Sequence, residues 1–311
     1  MRWKRGSRLK LVSEADAPSR TREIFRELRE CLGLPVIPSL YQAYAAFPDF
    51  LELHWRAFRP VFQSRQFFLL GARLAAESYT RAHNYFEIPA MNGWDRAPEV
   101  GTNHAILQVL DYYQYLDPLL LLITAAQMQA FEGPVGEVNS ALEPAAHPQF
   151  PVAPCQLQDR QATTSLQRCW AERRRTLELA FISDEHRGLA CWPEFYLEYW
   201  TTLKELLVSP VYADCQYRLA DSALNMVAEL PVRVETSVAQ LLEAGLSEDV
   251  VTAVARLNDL FVQALTGLVL DITFARIGVE KGPGKAEPIP PSKEGPHDSA
   301  KKKVGSPIRA A

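Results

Sequence analysis

Two aspartates of this chain stand at positions where a hydrolytic enzyme could use a carboxylate. Asp184 lies in LAFISDE (179–185), and Asp117 lies in YLDPLL (115–120), directly before a proline that opens an apolar stretch. An aspartate beside a water molecule can act as a general base if its pKa lies near the working pH. Both positions also suit a helix N-cap, with Pro118 in the first helical turn. The sequence leaves a catalytic and a capping role open for each aspartate.

Asp117 and Asp184 would titrate as a coupled pair if the fold brings them face to face. Neighbouring carboxyl groups raise each other's pKa, so that one of them is protonated near neutral pH. A protonated Asp117 could donate a hydrogen bond, whereas an ionised Asp117 would repel an anionic substrate. On this hypothesis Asp184 is the base and Asp117 is the group across a cleft from it.

Other catalytic chemistries lack their motifs. The six histidines show no HExxH or similarly tight metal-ligand spacing, and Glu77, His83 and His186 are assigned no role. There is no GxSxG elbow, Walker A loop or dinucleotide fingerprint. The five cysteines are far apart, odd in number and without a CxxC pair, which predicts a reducing compartment and argues against a disulfide framework. We expect no metal and no cofactor.

Composition limits the class of protein. With 311 residues, 48% of them hydrophobic, the chain can bury one large core or two fused ones. A formal charge of −4 gives no reason to expect a nucleic-acid partner. The start lacks the apolar region of a secretory signal, and the longest apolar run, 119–126, is too short to span a bilayer. We predict a soluble cytoplasmic protein without a membrane partner.

The elements that position these aspartates occur twice, 145 residues apart. Residues 34–75, aligned without a gap on 179–220, share ten of 42 positions, including Trp55 with Trp200. Two copies of one unit tend to pack about a pseudo-twofold axis, and a cleft at that axis is a natural place for a site. We call residues 145 positions apart counterparts.

The two aspartates break this internal symmetry. The counterpart of Asp184 is Ser39, and that of Asp117 is Val262. Ser39 with Gln42 forms a capping-box pattern, so Asp184 could simply replace one capping residue by another. The alternative is that one half alone has acquired a carboxylate where the axis places it beside the other half.

Helical spacing of apolar residues dominates the chain, and alternating strand patterns are scarce. We predict an all-α fold of two tandem helical repeats that form an intramolecular pseudo-dimer. The predicted helices cover 21–32, 48–63, 66–84, 104–116, 118–131, 161–178, 193–208, 210–229 and 247–277.

The predicted domain boundaries follow from where this rhythm breaks. They give an N-terminal segment 1–20, a first helical repeat 21–131, a Pro/Gly-rich linker 132–160 and a second helical repeat 161–277. Residues 88–101 are predicted to form a loop within the first repeat. Residues 278–311 have almost nothing to bury and are predicted to be a disordered tail.

Three stretches carry a recognisable combination: REIFRELRECLGLPVIPSLYQAYAAFPDFLELHWRAFRP (22–60), LDYYQYLDPLLLL (110–122) and LAFISDEHRGLACWPEFYLEYW (179–200). Together they resemble the DehI family of 2-haloacid dehalogenases, the configuration-inverting group I that accepts both substrate enantiomers. The resemblance covers about residues 10–277 and implies a diverged member. It also implies an all-α fold of two repeats with the active site between them.

The resemblance further implies site residues. The segment with the family's catalytic aspartate matches residues 181–184, which makes Asp184 the base. The family's Asn-Pro-x-Tyr segment matches residues 117–120, where both the asparagine and the tyrosine are changed, and a pocket tryptophan is replaced around Ile37. The implied substrate-binding residues are Ser183, Ile182, Phe181, Ile37, Leu40 and Leu120.

The implied reaction is cofactor-independent hydrolysis of a short 2-haloalkanoic acid. Asp184 would deprotonate a water that displaces halide at C2 with inversion and without a covalent ester. The partner is a small molecule, a short halogenated or related carboxylic acid, and a homodimer is left open. The alternative is a non-catalytic helical protein that binds a small molecule and retains the fold. A redox role is disfavoured because CxxC is missing.

Overall fold

A computed structural model describes residues 9–91, 102–137, 143–146, 148, 150, 153–177, 179 and 181–281. Over these residues the regular elements are helices. Two isolated antiparallel β-bridges are also present, Ser64–Pro144 and Val135–Val234. The prediction of an all-α fold is confirmed. Most of the predicted loop at 88–101 and nearly all of the predicted tail lie outside the described residues.

Eleven α-helices are described, and two 3₁₀ turns lie at Asp159–Gln161 and Val227–Glu229. The first half (residues 9–137) contains α1 Ser19–Leu32, α2 Ser39–Tyr44, α3 Pro48–Phe62, α4 Arg65–Tyr85 and α5 Thr102–Ala130. The second half (residues 153–281) contains α6 Thr164–Thr176, α7 Asp184–Leu189, α8 Pro193–Leu207, α9 Pro210–Met226, α10 Val238–Glu243 and α11 Glu248–Glu280.

Helices α1 to α4 begin 145 residues before α6 to α9, and some of their side-chain contacts recur at the same spacing. Trp55 Nε1 donates to Glu27 at 2.9 Å, and its counterpart Trp200 donates to Glu172 at 2.8 Å. Ser64 Oγ accepts a hydrogen bond in the first turn of α4, as its counterpart Ser209 does in α9. Both serines are helix N-caps, which each satisfy a backbone N–H that lacks a helical partner.

The centre of the molecule is the pair of long helices α5 and α11, which make the most extensive helix–helix contact among the described residues. The short helices α2 and α7 each pack on the long helix of the other half: α2 on α11 and α7 on α5. Tyr44 Oη of α2 donates to Asn258 of α11 at 2.7 Å. Residues at the start of α2 and α7 are therefore held against the opposite half.

Helix α11 is long and apolar enough to cross a membrane by length and composition, and in the described part of the chain it alone meets that test. In the structure, however, 78% of the apolar 18-residue stretch of α11 is buried inside the protein. Burial on all sides by neighbouring helices is typical of a core helix.

The predicted break between helices 104–116 and 118–131 is wrong. The helix α5 runs without interruption from Thr102 to Ala130, with Pro118 inside it. A proline within a helix removes one backbone hydrogen bond at a cost of about 3 kcal/mol. Residues on both sides of Pro118 are buried, including Leu116, Leu119 and Leu121, and this burial offsets that cost. Asp117 is consequently not an N-cap.

Three further expectations need correction. The N-cap of α2 is Pro38 without a side-chain cap, so Ser39 and Gln42 form no capping box. Gly278 belongs to α11 rather than to a tail, because it is buried and its carbonyl accepts from Met91 N at 2.9 Å. The short helices α2, α7 and α10 were not among the predicted helices, since six residues give too little periodicity.

The prediction against a disulfide is also wrong. Cys155 and Cys191, 36 residues apart in sequence, form a disulfide with a Cα–Cα distance of 6.4 Å. Separation along the chain does not report distance in space, and here the chain before α6 returns to the end of α7. Cys31, Cys169 and Cys215 are free thiols.

Candidate active site

Asp184 meets the other half of the molecule at the start of α7. It is the first residue of this helix, and the N-cap is the preceding Ser183, whose side chain makes no capping hydrogen bond. Instead its carboxylate accepts two hydrogen bonds from Ser39 of α2: from the backbone N–H at 3.0 Å and from Oγ at 2.6 Å. The counterpart residues Ser39 and Asp184 therefore contact each other directly.

The surroundings of Asp184 act on its pKa in both directions. Burial among protein atoms raises the pKa, while the two hydrogen bonds from Ser39 and the nearby Arg187 guanidinium lower it, and the net shift is upward. The residue as a whole keeps part of its surface accessible to solvent. The upward shift of the pKa makes this carboxylate more basic than that of an ordinary aspartate.

Asp117 lies on α5, the helix against which α7 packs, and has no exposed surface. Neither of its carboxyl oxygens makes a regular hydrogen bond to a described residue. The carboxyl group of Glu185, which follows Asp184 on α7, lies beside it. Burial, followed by the charge of Glu185 and the contact with its carboxyl group, raises the pKa of Asp117 well above its usual range. The protonated form of Asp117 is therefore favoured.

Glu185 is the third carboxyl group of the cluster and is only 4% exposed. Burial and the negative charge of Asp184 raise the pKa of Glu185 to about 7, although contacts with Asp117 and Ser183 lower it. The acid cluster, defined as Asp117, Asp184 and Glu185, therefore changes its charge in the neutral range.

Sequence reasoning missed Glu185, although a signal was present. Its counterpart is the buried apolar Leu40, and the counterpart of Asp117 is Val262. A charged residue opposite an apolar counterpart marks a position that the other half uses only for packing. Two such positions on helices that contact each other, α5 and α7, point to the acid pair.

Tyr112 is a second residue that sequence reasoning missed. It is buried on α5, and its hydroxyl has no hydrogen-bond partner among the described residues. Burial, with the charges of Asp184 and Asp117, raises the pKa of its phenol. A neutral hydroxyl near both aspartates is a candidate donor to an anionic substrate.

The other residues predicted at the site lie on the segments that lead into these helices. Phe181, Ile182 and Ser183 precede α7; Ser183 is buried with an unpaired Oγ, and the ring of Phe181 lies 5.7 Å from that of Phe261 on α11. The predicted site residues of the first half are all apolar and buried: Ile37, Leu40 and Leu120.

A second group of ionisable side chains is buried behind α7. Asp271 of α11 accepts from Tyr212 Oη at 2.6 Å, and Arg173 Nη2 lies 3.8 Å from its carboxylate. His186 Nε2 lies 3.7 Å from Asp271, and Nδ1 contacts Tyr196 Oη at 3.0 Å. Burial lowers the pKa of His186 to about 4, so it is neutral at pH 7.

A surface groove lies elsewhere, between α4 and α5. It has a volume of about 530 Å³ and is lined by Phe68, Tyr79 and Tyr115, with small residues between them. None of the three cluster carboxyl groups lines it. In the part of the chain that the structure describes, no three His, Cys, Asp or Glu side chains are arranged to hold a metal ion.

Comparison with known proteins gives a consistent set of relatives. The sequence model of the family described as "Halocarboxylic acid dehydrogenase DehI" matches residues 35–186. An (R)-2-haloacid dehalogenase of Pseudomonas putida is 27% identical over 272 residues, covering 84% of this chain and 90% of that protein. An (R)-2-haloacid dehalogenase of Rhizobium sp. (strain NHG3) is 22% identical, covering 72% of this chain and 88% of that protein.

The fold is shared with a solved structure described as a D-2-haloacid dehalogenase in complex with L-LA. The two superpose with a TM-score of 0.83 at 24% identity, covering 90% of this chain and 99% of the other. The sequence relatives and the family match support the DehI family, and the structural match shows the same fold.

Proposed function

We propose that the chain is a 2-haloacid dehalogenase of the DehI family that hydrolyses short 2-haloalkanoic acids, with Asp184 as the base. The observation that carries the proposal is the acid cluster: three carboxyl groups from α5 and α7, of which Asp117 and Glu185 belong to buried residues and Asp184 to a partly exposed one. The family match and the named activity of the relatives support the choice of substrate class.

The proposed active site lies between two helical repeats related as a pseudo-dimer. The recurrence of four helix starts at 145 residues supports this arrangement, as do the repeated Trp–Glu contacts. Asp184 comes from the second repeat, while Ser39 and Asp117 come from the first. The site is then complete only when both repeats are packed together.

The proposed reaction needs one base and no covalent intermediate. Ser39 occupies one lone pair on each Asp184 oxygen, which fixes the carboxylate and leaves further lone pairs for a water molecule. Asp184 takes a proton from water as the oxygen attacks C2, and the carbon–halogen bond breaks at the opposite face. The products are a 2-hydroxy acid of inverted configuration, a halide ion and one proton.

Protonated Asp117 serves in this proposal as a hydrogen-bond donor near the substrate. A neutral acid at this position avoids the repulsion that a second carboxylate would exert on a 2-haloacid anion. The hydroxyls of Tyr112 and of Ser183, the latter also in contact with Glu185, are further donors. The apolar residues Phe181, Ile182, Ile37, Leu40 and Leu120 would enclose the alkyl chain and halogen.

Halide release tests the proposal. Purified protein is incubated with the separate enantiomers of 2-chloropropionate and 2-bromopropionate and with monochloroacetate, and halide is measured over time. The resemblance implies that both enantiomers react, with lactate of inverted configuration as the product, while the names of the curated relatives specify the R form.

Asp184→Asn keeps the size of the side chain and removes the proton acceptor. We expect the wild-type protein to release halide and the variant to release none above background. Tight binding of these acids without any halide release from the wild type would instead favour the non-catalytic binding protein.

A further inference from the structure

We propose that Gln156 is a positioning residue for Asp184 and that the Cys155–Cys191 disulfide holds it in place. The strap is defined as residues 155–159, which contact α7 along its length. The inference rests on the proposed function, since it assigns Gln156 a role in the reaction of Asp184.

The strap is attached to α7 at both ends of the short helix. Gln156 Nε2 donates to the backbone carbonyl of Asp184 at 3.0 Å and to Tyr113 Oη of α5 at 2.6 Å. The disulfide joins Cys155 to Cys191, just beyond the end of α7. The amide thus connects the backbone of Asp184 to the helix that carries Asp117.

Between these two points Arg187 binds the strap from α7. Its carbonyl accepts from Leu157 N at 3.1 Å, its Nη1 donates to Leu157 O at 3.0 Å, and its Nη2 lies 2.8 Å from Asp159. With these contacts the strap and α7 are held together along the helix.

The first half provides an internal control for the strap. The contact of Leu157 N with Arg187 O recurs between the counterparts Val12 N and Gln42 O at 3.0 Å. A segment that binds α2 in the same way therefore exists in the first half, so this backbone contact belongs to the scaffold that both halves share. A backbone contact common to both halves does not explain why only one half carries the base.

The features that link the strap to Asp184 occur in the second half only. The counterparts of Cys155 and Cys191 are Lys10 and Ala46, which cannot form a disulfide. The counterpart of Gln156 is Leu11, which has no side-chain amide to donate. Both additions are located on the half that holds Asp184.

These contacts have a direct consequence for the geometry of catalysis. A six-residue helix such as α7 has little stability of its own, so its first residue is held by tertiary contacts. Misplacement of a reacting group by about 1 Å can reduce the rate on the order of 100-fold. Fixing the Asp184 backbone against α5 keeps its carboxylate aligned with the substrate.

Gln156→Leu tests the assignment, because it introduces the residue found at the counterpart position. We expect kcat for halide release to fall roughly 10- to 100-fold, with KM changed less than about twofold because Gln156 does not contact the substrate. The melting temperature should stay within about 2 °C of the wild type. An unchanged kcat, or a rise in KM alone, would overturn the proposal.

Cys191→Ala removes the disulfide and also introduces the counterpart residue. We expect a smaller fall in kcat, about three- to tenfold, and faster hydrogen exchange at the amides of α7. Cys169→Ser, at a partly exposed free thiol, and Gln66→Leu, at an exposed glutamine of α4, are the matched controls and should leave both readouts unchanged. An unchanged kcat in Cys191→Ala would remove the disulfide from the proposal.

Two measurements separate failure of this inference from failure of the proposed function. Hydrogen exchange of α7 in Gln156→Leu reports the strap even if the wild type releases no halide, and it should be faster than in the wild type. Thiol titration in denaturant should give three thiols per chain before reduction and five after it. Five thiols before reduction would contradict the disulfide.

Discussion

The helices α2 and α7 share the same backbone arrangement but carry different side chains: those of α2 are neutral, whereas α7 begins with two acidic residues. Both have six residues, begin after an extended N-cap residue and pack on the long helix of the other half. The first three residues of α2 are Ser39, Leu40 and Tyr41, whereas those of α7 are Asp184, Glu185 and His186. The backbone of this turn therefore does not determine the chemistry.

The surroundings of the two helices differ in the same way. Around α2, Tyr41 Oη contacts His54 Nε2 at 3.2 Å, and His54 Nδ1 contacts Gln127 at 2.8 Å. This network is neutral, because burial lowers the pKa of His54 to about 4. Around α7, buried carboxyl groups and Arg173 replace it.

Single residues account for much of this difference. The counterpart of buried Arg173 is buried Leu28, and the positions of His and Tyr are exchanged: Tyr41 corresponds to His186, and His54 to Tyr199. The comparison indicates that one half preserves a stable packing arrangement and the other carries ionisable groups at some cost in stability.

The largest expected effect comes from exchanging the first residues of the two helices. A double variant, Ser39→Asp with Asp184→Ser, moves the carboxylate from α7 to α2, where the next residue is Leu40 instead of Glu185. We expect halide release to stay at least about 10³-fold below wild type, as in Asp184→Ser alone. Recovery of activity in the double variant would show that a carboxylate at either of the two counterpart positions is sufficient and that the acid cluster is not required.

Arg173→Leu introduces the counterpart residue beneath α7 and tests whether the buried charges depend on each other. The change leaves Asp271 buried without a cationic neighbour, and we expect unfolding free energy to fall by about 3 kcal/mol. Adding Asp271→Ala, its counterpart being Ala126, should recover at least half of this loss. Urea denaturation of the two variants measures it, and an additive loss would exclude coupling between the two charges.

Glu185→Gln should change how stability depends on pH. The pKa of folded Glu185 is about 7, above that of an unfolded glutamate at about 4.3. The folded state therefore binds the extra proton, and this contribution to stability is lost as pH rises from about 4.5 through 7. Because glutamine does not ionise, the Glu185→Gln variant does not lose stability in this way as the pH rises.

We expect the stability of Glu185→Gln relative to wild type to increase by on the order of 2 kcal/mol between pH 5 and 8. Thermal unfolding at several pH values measures the difference. The exposed Glu194, changed to Gln, is the control and should show a constant difference. A constant difference for Glu185→Gln as well would place Glu185 in contact with solvent.

Asp117→Asn gives the smallest effect. It restores the residue type that the resemblance implies and removes a group that can become negatively charged, with a repulsion on the order of 1 kcal/mol. We expect kcat/KM for 2-haloacids to rise about fivefold, most at high pH where the cluster loses protons. A fall in kcat/KM at all pH values would show that the acid itself, as a proton donor, is needed.

Sequence patterns predicted most of the longer helices and selected two residues of the candidate site. The long helices were found because apolar residues recur over many turns, and Asp184 and Asp117 were selected because their counterparts differ. The continuity of α5 through Pro118 could not be predicted, because local propensity favours a break and tertiary burial decides against it. The contact between Glu185 and Asp117 and the Cys155–Cys191 disulfide depend on how the two halves pack, which the repeat alone does not specify.

The central claim, that Asp184 activates water directly at a single site, is tested most directly by a single turnover in ¹⁸O-labelled water. Excess protein is mixed with 2-bromopropionate, and the lactate and the protein are analysed by mass spectrometry. Direct attack by water predicts one ¹⁸O atom in the lactate from the first turnover and no label in the protein. Unlabelled lactate from the first turnover, with ¹⁸O in the peptide containing Asp184, would contradict it, because the carboxylate itself would then have attacked the carbon.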